Sequence, residues 1–363
     1  MIEIVPMAIE LPHVNIMISS AAPNGCATKP QRPSGLRVFH QLVSSQIASG
    51  EGLKAWRFIN RAVRSPVSTL SWLRALDRLR LTTGTASAPF YLARKPGRDF
   101  LHHQLSYRQK ITLLLAHYHH LLLTMGPRFT GKLLEGQSFI LAEFHGKSGG
   151  AYRLSMERND LFCREGEIIV ELKRADDDLR IATLSLVIGA VTPGAAADLW
   201  VGGLQGCKGE DSKAVTVATT KELWGLRPKD LMMNTAFCLH HLFALNGLKV
   251  IGNAGHIDHR PRAKVLKRRA DYDGFWLELG GAPIGGDFFA LPPERRRRCE
   301  DEVPAAKRKA WRLRQALAAD IDAQIRHLDA HGDGGASPIN RSERSGARAD
   351  GPSAGAPAPA QRP

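Results

Sequence analysis

Apolar residues recur at helical spacing in the first third of the chain. Leu53, Trp56, Phe58 and Ile59 predict a short helix from Glu51, stopped near Pro66. Leu70, Leu73, Leu76 and Leu79 predict a second, with Ser68 as its N-cap. Ser106 opens a Leu-rich helix through Leu123, which Gly126-Pro127 ends. Residues 1–45 carry weak pattern, broken by Pro12, Pro23, Pro30 and Pro33, and read as a poorly ordered lead-in.

The period changes near Gln137. Phe139 to Phe144, Tyr152 to Met156, Ile168 to Leu172 and Ile181 to Ile188 read as strands, the last two joined by a turn at Asp176-Asp177-Asp178. Leu199 to Leu204 is a further strand, running into Gly202-Gly203 and Gln205-Gly206, with a polar loop expected to about Val215. Pro228 suits a helix start, because its missing N–H costs little there. Leu231, Met232, Phe237, Leu239, Leu242, Phe243 and Leu245 then cover nearly every face, which predicts a buried helix. Asn246-Gly247 closes it before a strand at Leu248 to Ile251.

Asp271 caps a short helix carrying Tyr272, Phe275, Trp276 and Leu279. Pro304 starts a last helix with a stripe of Leu313, Leu317, Ile321, Ile325 and Leu328. From Gly332 to Pro363 only Ile339 is strongly apolar, so that tail reads as disordered. The expected fold is therefore α/β (α+β): a helical N-terminal part over 46–135, then a mixed sheet with a buried helix and a basic C-terminal helix over 136–330. Residues 46–330 are expected to form one unit, between the lead-in 1–45 and the tail 331–363.

Composition narrows the class. In 363 residues, hydrophobic positions are 43% and charged ones 23%, enough apolar content for a sizeable core. The net charge of +15 favours anionic partners. Five cysteines at wide spacing form no C-x-x-C pair, and read as reduced thiols. Glu3, Glu10 and two prolines interrupt the mildly apolar start, so no signal peptide is read there, and no run approaches the roughly 18 apolar residues of a membrane span. The expected location is cytoplasmic, with peripheral contact to the inner membrane.

The clearest chemical candidate is Thr219 to Lys229. Lys221, Arg227 and Lys229 flank a Gly turn and the N-terminus of the buried helix, where free N–H groups favour anions. It is not a Walker loop, whose pattern is absent. His256-Ile257-Asp258-His259 follows a strand end, a common place for ligands in open sheets. Its spacing names no metal, and no metal site is expected. His119-His120, His240-His241 and Cys238 lie inside apolar helices and read as packing. Six cations in Arg260 to Arg269, then Arg295 to Arg298, then Lys307, Arg308, Lys309, Arg312 and Arg314 form a basic C-terminal region without any base-reading signature.

Four ordered features carry a resemblance. They are Leu199-Trp200-Val201-Gly202-Gly203-Leu204-Gln205-Gly206, then Thr220 to Lys229, then Ala270-Asp271-Tyr272-Asp273 through Phe275-Trp276 and Glu278-Leu279-Gly280-Gly281, then the basic helix from Pro304. Over roughly 45–328 the chain resembles the VirK/YbjX family of Gram-negative bacteria, long labelled as of unknown function. The resemblance implies an association with virulence, resistance to antimicrobial peptides and envelope stress. Trp224 departs from the family's small or polar residue before the Gly-Leu-Arg-Pro turn. The order of elements is also similar to GNAT-type acyltransferases. In that fold the loop and helix N-terminus after the fourth strand hold the coenzyme A pyrophosphate. Its Q-x-x-G-x-G/A loop is absent here, since Gln205 is followed by Gly206 and Gly209.

Two functions follow as expectations. One is a factor that docks on an anionic ligand, a membrane surface or a protein partner, with nucleic acid less favoured. The other is an acyl-CoA-dependent transferase acting on an envelope component or peptide. In that reading Gln205, Gly206, Lys221, Arg227 and Lys229 bind the cofactor, Glu222 or His256 is the general base, and Tyr272 protonates the leaving thiolate.

Overall fold

Eight strands form one mixed sheet in the order β1-β2-β3-β4-β5-β6-β8-β7. The computed structural model describes residues 34–85, 90–257, 271–295 and 299–330. Asp258 and His259, the cations from Arg260 to Arg269, Arg296 to Arg298, the first 33 residues and the tail lie outside the described residues. The strands are β1 Phe139–His145, β2 Ala151–Arg158, β3 Ile168–Arg174, β4 Arg180–Gly189, β5 Asp198–Gly206, β6 Leu248–Ile251, β7 Ala282–Gly285 and β8 Phe288–Leu291. β1 to β5 form an antiparallel meander. β6 joins parallel to β5, and β8 joins antiparallel to β6. The turn at Asp176–Asp178 links β3 to β4, with Asp178 at φ +54°.

The helices are α1 Gly35–Ala48, α2 Gly52–Arg64, α3 Pro66–Thr83, α4 Phe90–Arg94, α5 Tyr107–Thr124, α6 Gly126–Leu134, α7 Ser212–Glu222, α8 Pro228–Leu242, α9 Tyr272–Glu278 and α10 Ala305–Ala330. α5 opens with a capping box: Gln109 N–H donates to Ser106 Oγ, and Ser106 N–H donates to Gln109 Oε1 at 2.9 Å. Such a cap is worth about 1 kcal/mol.

Several expectations change. α1 begins at Gly35, inside the expected lead-in, with Ser34 as its cap. Ser65, not Ser68, precedes α3, because Pro66 takes the first helical position, where its missing N–H is free of cost. Gly126-Pro127 ends α5 and also starts α6. The polar loop is short, since α7 begins at Ser212; its β-branched residues bury only Thr219, so it shows no apolar stripe. The hairpin β7–β8 was not expected: its strands are four residues each, and β7 carries Pro283 and Gly285.

Side chains alternate across the sheet, so each face has its own core. Leu184, Leu186 and Ile188 of β4 pack with Leu231, Met232 and Phe237 of α8 and with Leu317, Ile321 and Ile325 of α10. Val187 of β4 and Trp200 of β5 pack on the other face with Trp72, Leu73 and Leu76 of α3 and Leu113 and Leu114 of α5. α8 is buried along most of its length, as its all-round apolar pattern predicts. The described residues belong to one compact unit. Among them, no helix is long and apolar enough to cross a membrane.

Candidate functional site

The face of the sheet that carries Trp200 turns polar toward the end of β5. Ser155, Glu171, Thr183 and Gln205 stand opposite one another on β2, β3, β4 and β5. Ser155, Glu171 and Thr183 are buried. Lys173 and Arg180 hold the Glu171 carboxylate. The next row holds Ser185 opposite Gly203. There a bulge at Gly202 shifts the β4–β5 register, since Ser185 faces Gly203 but Leu186 faces Val201.

Glu165, from the β2–β3 connection, lies on this bulge. It is 2% exposed. Gln205 Nε2 donates to Glu165 Oε1 at 2.8 Å, and Ser185 Oγ donates to Oε2 at 3.3 Å. Asn159 Nδ2 in turn donates to Ser185 Oγ. His256 Nε2 stands 3.8 Å from Glu165 Oε1 and is itself 5% exposed. Its ring stacks on Tyr272 with centroids 5.5 Å apart, and Tyr272 stacks on Trp276.

Strand divergence creates this site. β5 and β6 pair only from Leu199 to Val201 on β5. Beyond that point the backbone of Leu204 lacks a strand neighbour on that side. The Tyr272 hydroxyl fills the place: it donates to Leu204 O at 2.9 Å and accepts from Leu204 N–H. Tyr272 is placed by the start of α9, where Asp271 caps Gly274 N–H and Asn253 accepts from Tyr272 N–H. Asn253 N–H donates to Asp273, so the loop after β6 is tied to α9. A third loop enters through His102, which bridges to His256, and through His103 N–H, which donates to Gly255 O. His102 is buried, and that burial, more than the neighbouring His103, lowers its pKa.

Three residues singled out in the sequence thus meet here: Gln205, His256 and Tyr272. Glu165 was missed. It sits in an irregular connection with no periodicity, and its only trace is the Gly202-Gly203 pair that makes room for it. A carboxylate facing an imidazole beside a phenol can accept, hold and return a proton.

The other candidates lie elsewhere. Glu222, at the end of α7, accepts from Ser148 N–H at 2.9 Å and from Ser148 Oγ at 2.6 Å, tying α7 to the β1–β2 turn. These bonds hold its carboxyl below the usual range. Lys221 is exposed at the end of α7, and Gly206 is exposed at the end of β5. Arg227 precedes α8 and binds Asp230 through Nε and Nη2 and Glu278 through Nη2. The Asp230 carboxylate, then Glu278, raises its pKa above the ordinary value. Lys229 lies 3.9 Å from the Phe275 ring centroid and 3.8 Å from Glu278. These two cations therefore already face carboxylates. A separate cleft of about 830 Å³ opens between α8 and α10, lined among others by Asn234, His241 and Arg295. Among the described residues, no group of His, Cys, Asp and Glu is arranged to hold a metal ion.

Comparison with known proteins gives relatives of equally open function. The chain is 25% identical over 307 residues to the uncharacterized protein YbjX of Escherichia coli strain K12, covering 82% of this chain and 91% of that one. It is 33% identical over 119 residues to an uncharacterized protein of Haemophilus influenzae, covering 32% and 39%. No solved structure matches. The model of a family described as a protein of unknown function (DUF535) matches residues 49–327. With that match over most of its length, the chain belongs to the DUF535 family, the group to which its VirK/YbjX resemblance pointed.

Proposed function

We propose that the protein is an acyltransferase that takes its acyl group from a coenzyme A thioester. The observation that carries this reading is the buried Glu165–His256 pair beside Tyr272, set where parallel β5 and β6 part. The meander, the helical crossover and the parallel strand are also the order of elements in GNAT-type enzymes. That likeness is one of layout and supports the reading only as an analogy.

The step balances with these groups. An acceptor amine or hydroxyl attacks the thioester carbonyl, and its proton passes to the His256 imidazole. Glu165 offsets the charge that forms on the imidazole. The C–S bond breaks, and the His256 imidazolium returns its proton to the leaving thiolate, while Tyr272, expected from the sequence as that acid, keeps its hydroxyl on the Leu204 backbone and its ring against His256. The imidazole is neutral again after that transfer, which closes the cycle. Glu222 is replaced as base by His256 with Glu165, because Glu222 is committed to Ser148.

Cofactor phosphates have two candidate seats. At Arg227 and Lys229 they must displace Glu278. The stretch from Gln205 to Gly209 leads into α7, whose first amides receive no side-chain cap from Asp211. That makes it the seat we favour. The association with envelope stress and peptide resistance that the family resemblance implies favours an envelope component or a peptide amine as the acceptor class.

Native mass spectrometry of the full chain with acetyl- and longer acyl-CoA tests the binding. A saturable complex is expected. Thiol release in the presence of amine acceptors tests the chemistry. His256→Asn is expected to keep the complex and slow release by about 100-fold or more. No complex with any thioester from folded protein overturns the proposal, as does release unchanged in both Glu165→Gln and His256→Asn.

A further inference from the structure

α2 presents an apolar stripe to solvent. Leu53 is 64% exposed, Trp56 62% and Val63 73%, and Val67 at the start of α3 is 81% exposed. Only Ala55 and Phe58 of α2 are buried. Such a helix contributes little to the core through its outer face, and a contiguous apolar patch on a surface marks a contact site.

Positive charge flanks this stripe. Between Glu51 and Asp77 the sequence carries Lys54, Arg57, Arg61, Arg64 and Arg74 and no acid. At about 100° per residue, Leu53, Trp56, Asn60 and Val63 share an arc of about 80°, and Lys54, Arg57, Arg61 and Arg64 occupy the next. Further cations lie close by. The Arg94 guanidinium is lowered by burial and then by repulsion from Arg98, Arg61 and Arg57, with Glu51 acting the other way. Arg61 also repels the buried Lys110.

We propose that α2 lies flat on an anionic lipid surface, with Leu53, Trp56 and Val63 in the headgroup–acyl boundary and its arginines on lipid phosphates. The shape favours this occupant. The apolar side chains protrude from the outer face of one helix, a convex surface. Nucleic acid satisfies the cations and leaves the apolar stripe in water. A bilayer meets both demands at once, and Trp suits the interface. The sequence pointed to the C-terminal basic helix for such contact; there Leu313 is 40% exposed and Trp311 is half-buried, a smaller apolar offering than that of α2. The proposal is independent of the acyl-transfer reading, since α2 contributes nothing to the Glu165–His256 cluster.

Flotation of the full chain with phosphatidylcholine vesicles, with and without phosphatidylglycerol, tests it. Binding only to the anionic vesicles, weakened by salt, is expected. Trp56→Glu with Val63→Glu, and separately Arg57→Gln with Arg64→Gln, are each expected to lower binding roughly tenfold or more. Both pairs are exposed, so melting temperature and any thioester binding should stay as in the parent. Equal flotation on neutral vesicles, or none on anionic ones, overturns the proposal. So does binding lost in Lys307→Gln with Lys309→Gln but kept in the α2 variants. Tighter, salt-sensitive binding to a DNA oligonucleotide that the Trp56→Glu, Val63→Glu variant retains would replace the membrane by nucleic acid.

Discussion

Two glycines in β5 hold the space that Glu165 occupies. A Cβ on Gly203 would stand 1.9 Å from Glu165 Oε2, and one on Gly202 would stand 1.8 Å from Glu165 O. Neither position has a left-handed backbone, so close approach alone demands glycine there. Gly203→Ala is expected to push the carboxylate off the strand at a cost of roughly 1–3 kcal/mol. The loss should appear as a lower melting temperature, together with weakened activity in the thiol-release assay. An unchanged melting temperature would mean that Glu165 turns aside freely. The sequence marked Gln205, His256 and Tyr272 by their places at a strand end and a helix cap. It could not mark Glu165, because its partners are 20 and 40 residues away in sequence, at Ser185 and Gln205.

At the scale of elements, α5 shows how a polar group is kept inside an apolar helix. His117 accepts from Ile188 N–H through Nδ1 and is 1% exposed. Burial first, then Lys95 and His120, lowers its pKa from 6.5 to about 3. The unfolded chain takes up a proton near pH 6.5 while the folded one stays neutral until about pH 3. Between these values the unfolded state holds more protons, so stability falls as pH falls, by about 1.4 kcal/mol per unit from this group. From pH 6.5 to pH 5 that amounts to about 2 kcal/mol. His117→Gln keeps an acceptor for Ile188 and removes this titration. Denaturant midpoints should show the gap between parent and variant shrinking toward pH 5; a constant gap would contradict it. His102 and His240 are lowered in the same direction by burial, so the parent has further slope that the variant retains. The helices α3, α5 and α8 and the strands β1 to β6 were legible because their apolar periods are long or regular. α7 and β7–β8 were not, since neither carries an apolar period and both take their form from neighbours.

At the scale of the whole molecule, the helical part and the sheet are joined by a buried charge as well as by a shared core. Lys95 pairs with Glu167 and donates to Gly166 O at 3.2 Å. Tyr118 of α5 donates to the other oxygen of Glu167 at 2.5 Å. These residues brace the loop that carries Glu165. Removing Lys95 leaves a buried carboxylate without its cation, which costs roughly 3–5 kcal/mol. Lys95→Ala should therefore lower the stability of the entire unit, seen as a single transition at lower denaturant by both fluorescence and circular dichroism. Loss confined to the helices, with the sheet signal melting where it did before, would show that the two parts fold apart.

The sequence by itself determined the alternation of strands, the buried α8, the caps at Ser106 and Asp271 and the family, because periodicity, caps and family motifs are written in the amino-acid order. The tertiary structure decided which charges are available for function. Arg227 and Lys229 read as a phosphate grip until Asp230 and Glu278 are seen facing them. Glu222 reads as a base until Ser148 is seen on its carboxylate. Glu165 becomes visible only when β5 bulges beneath it and leaves β6. Each case turns on desolvation and distance between residues remote in sequence, which depend on where the chain returns in space.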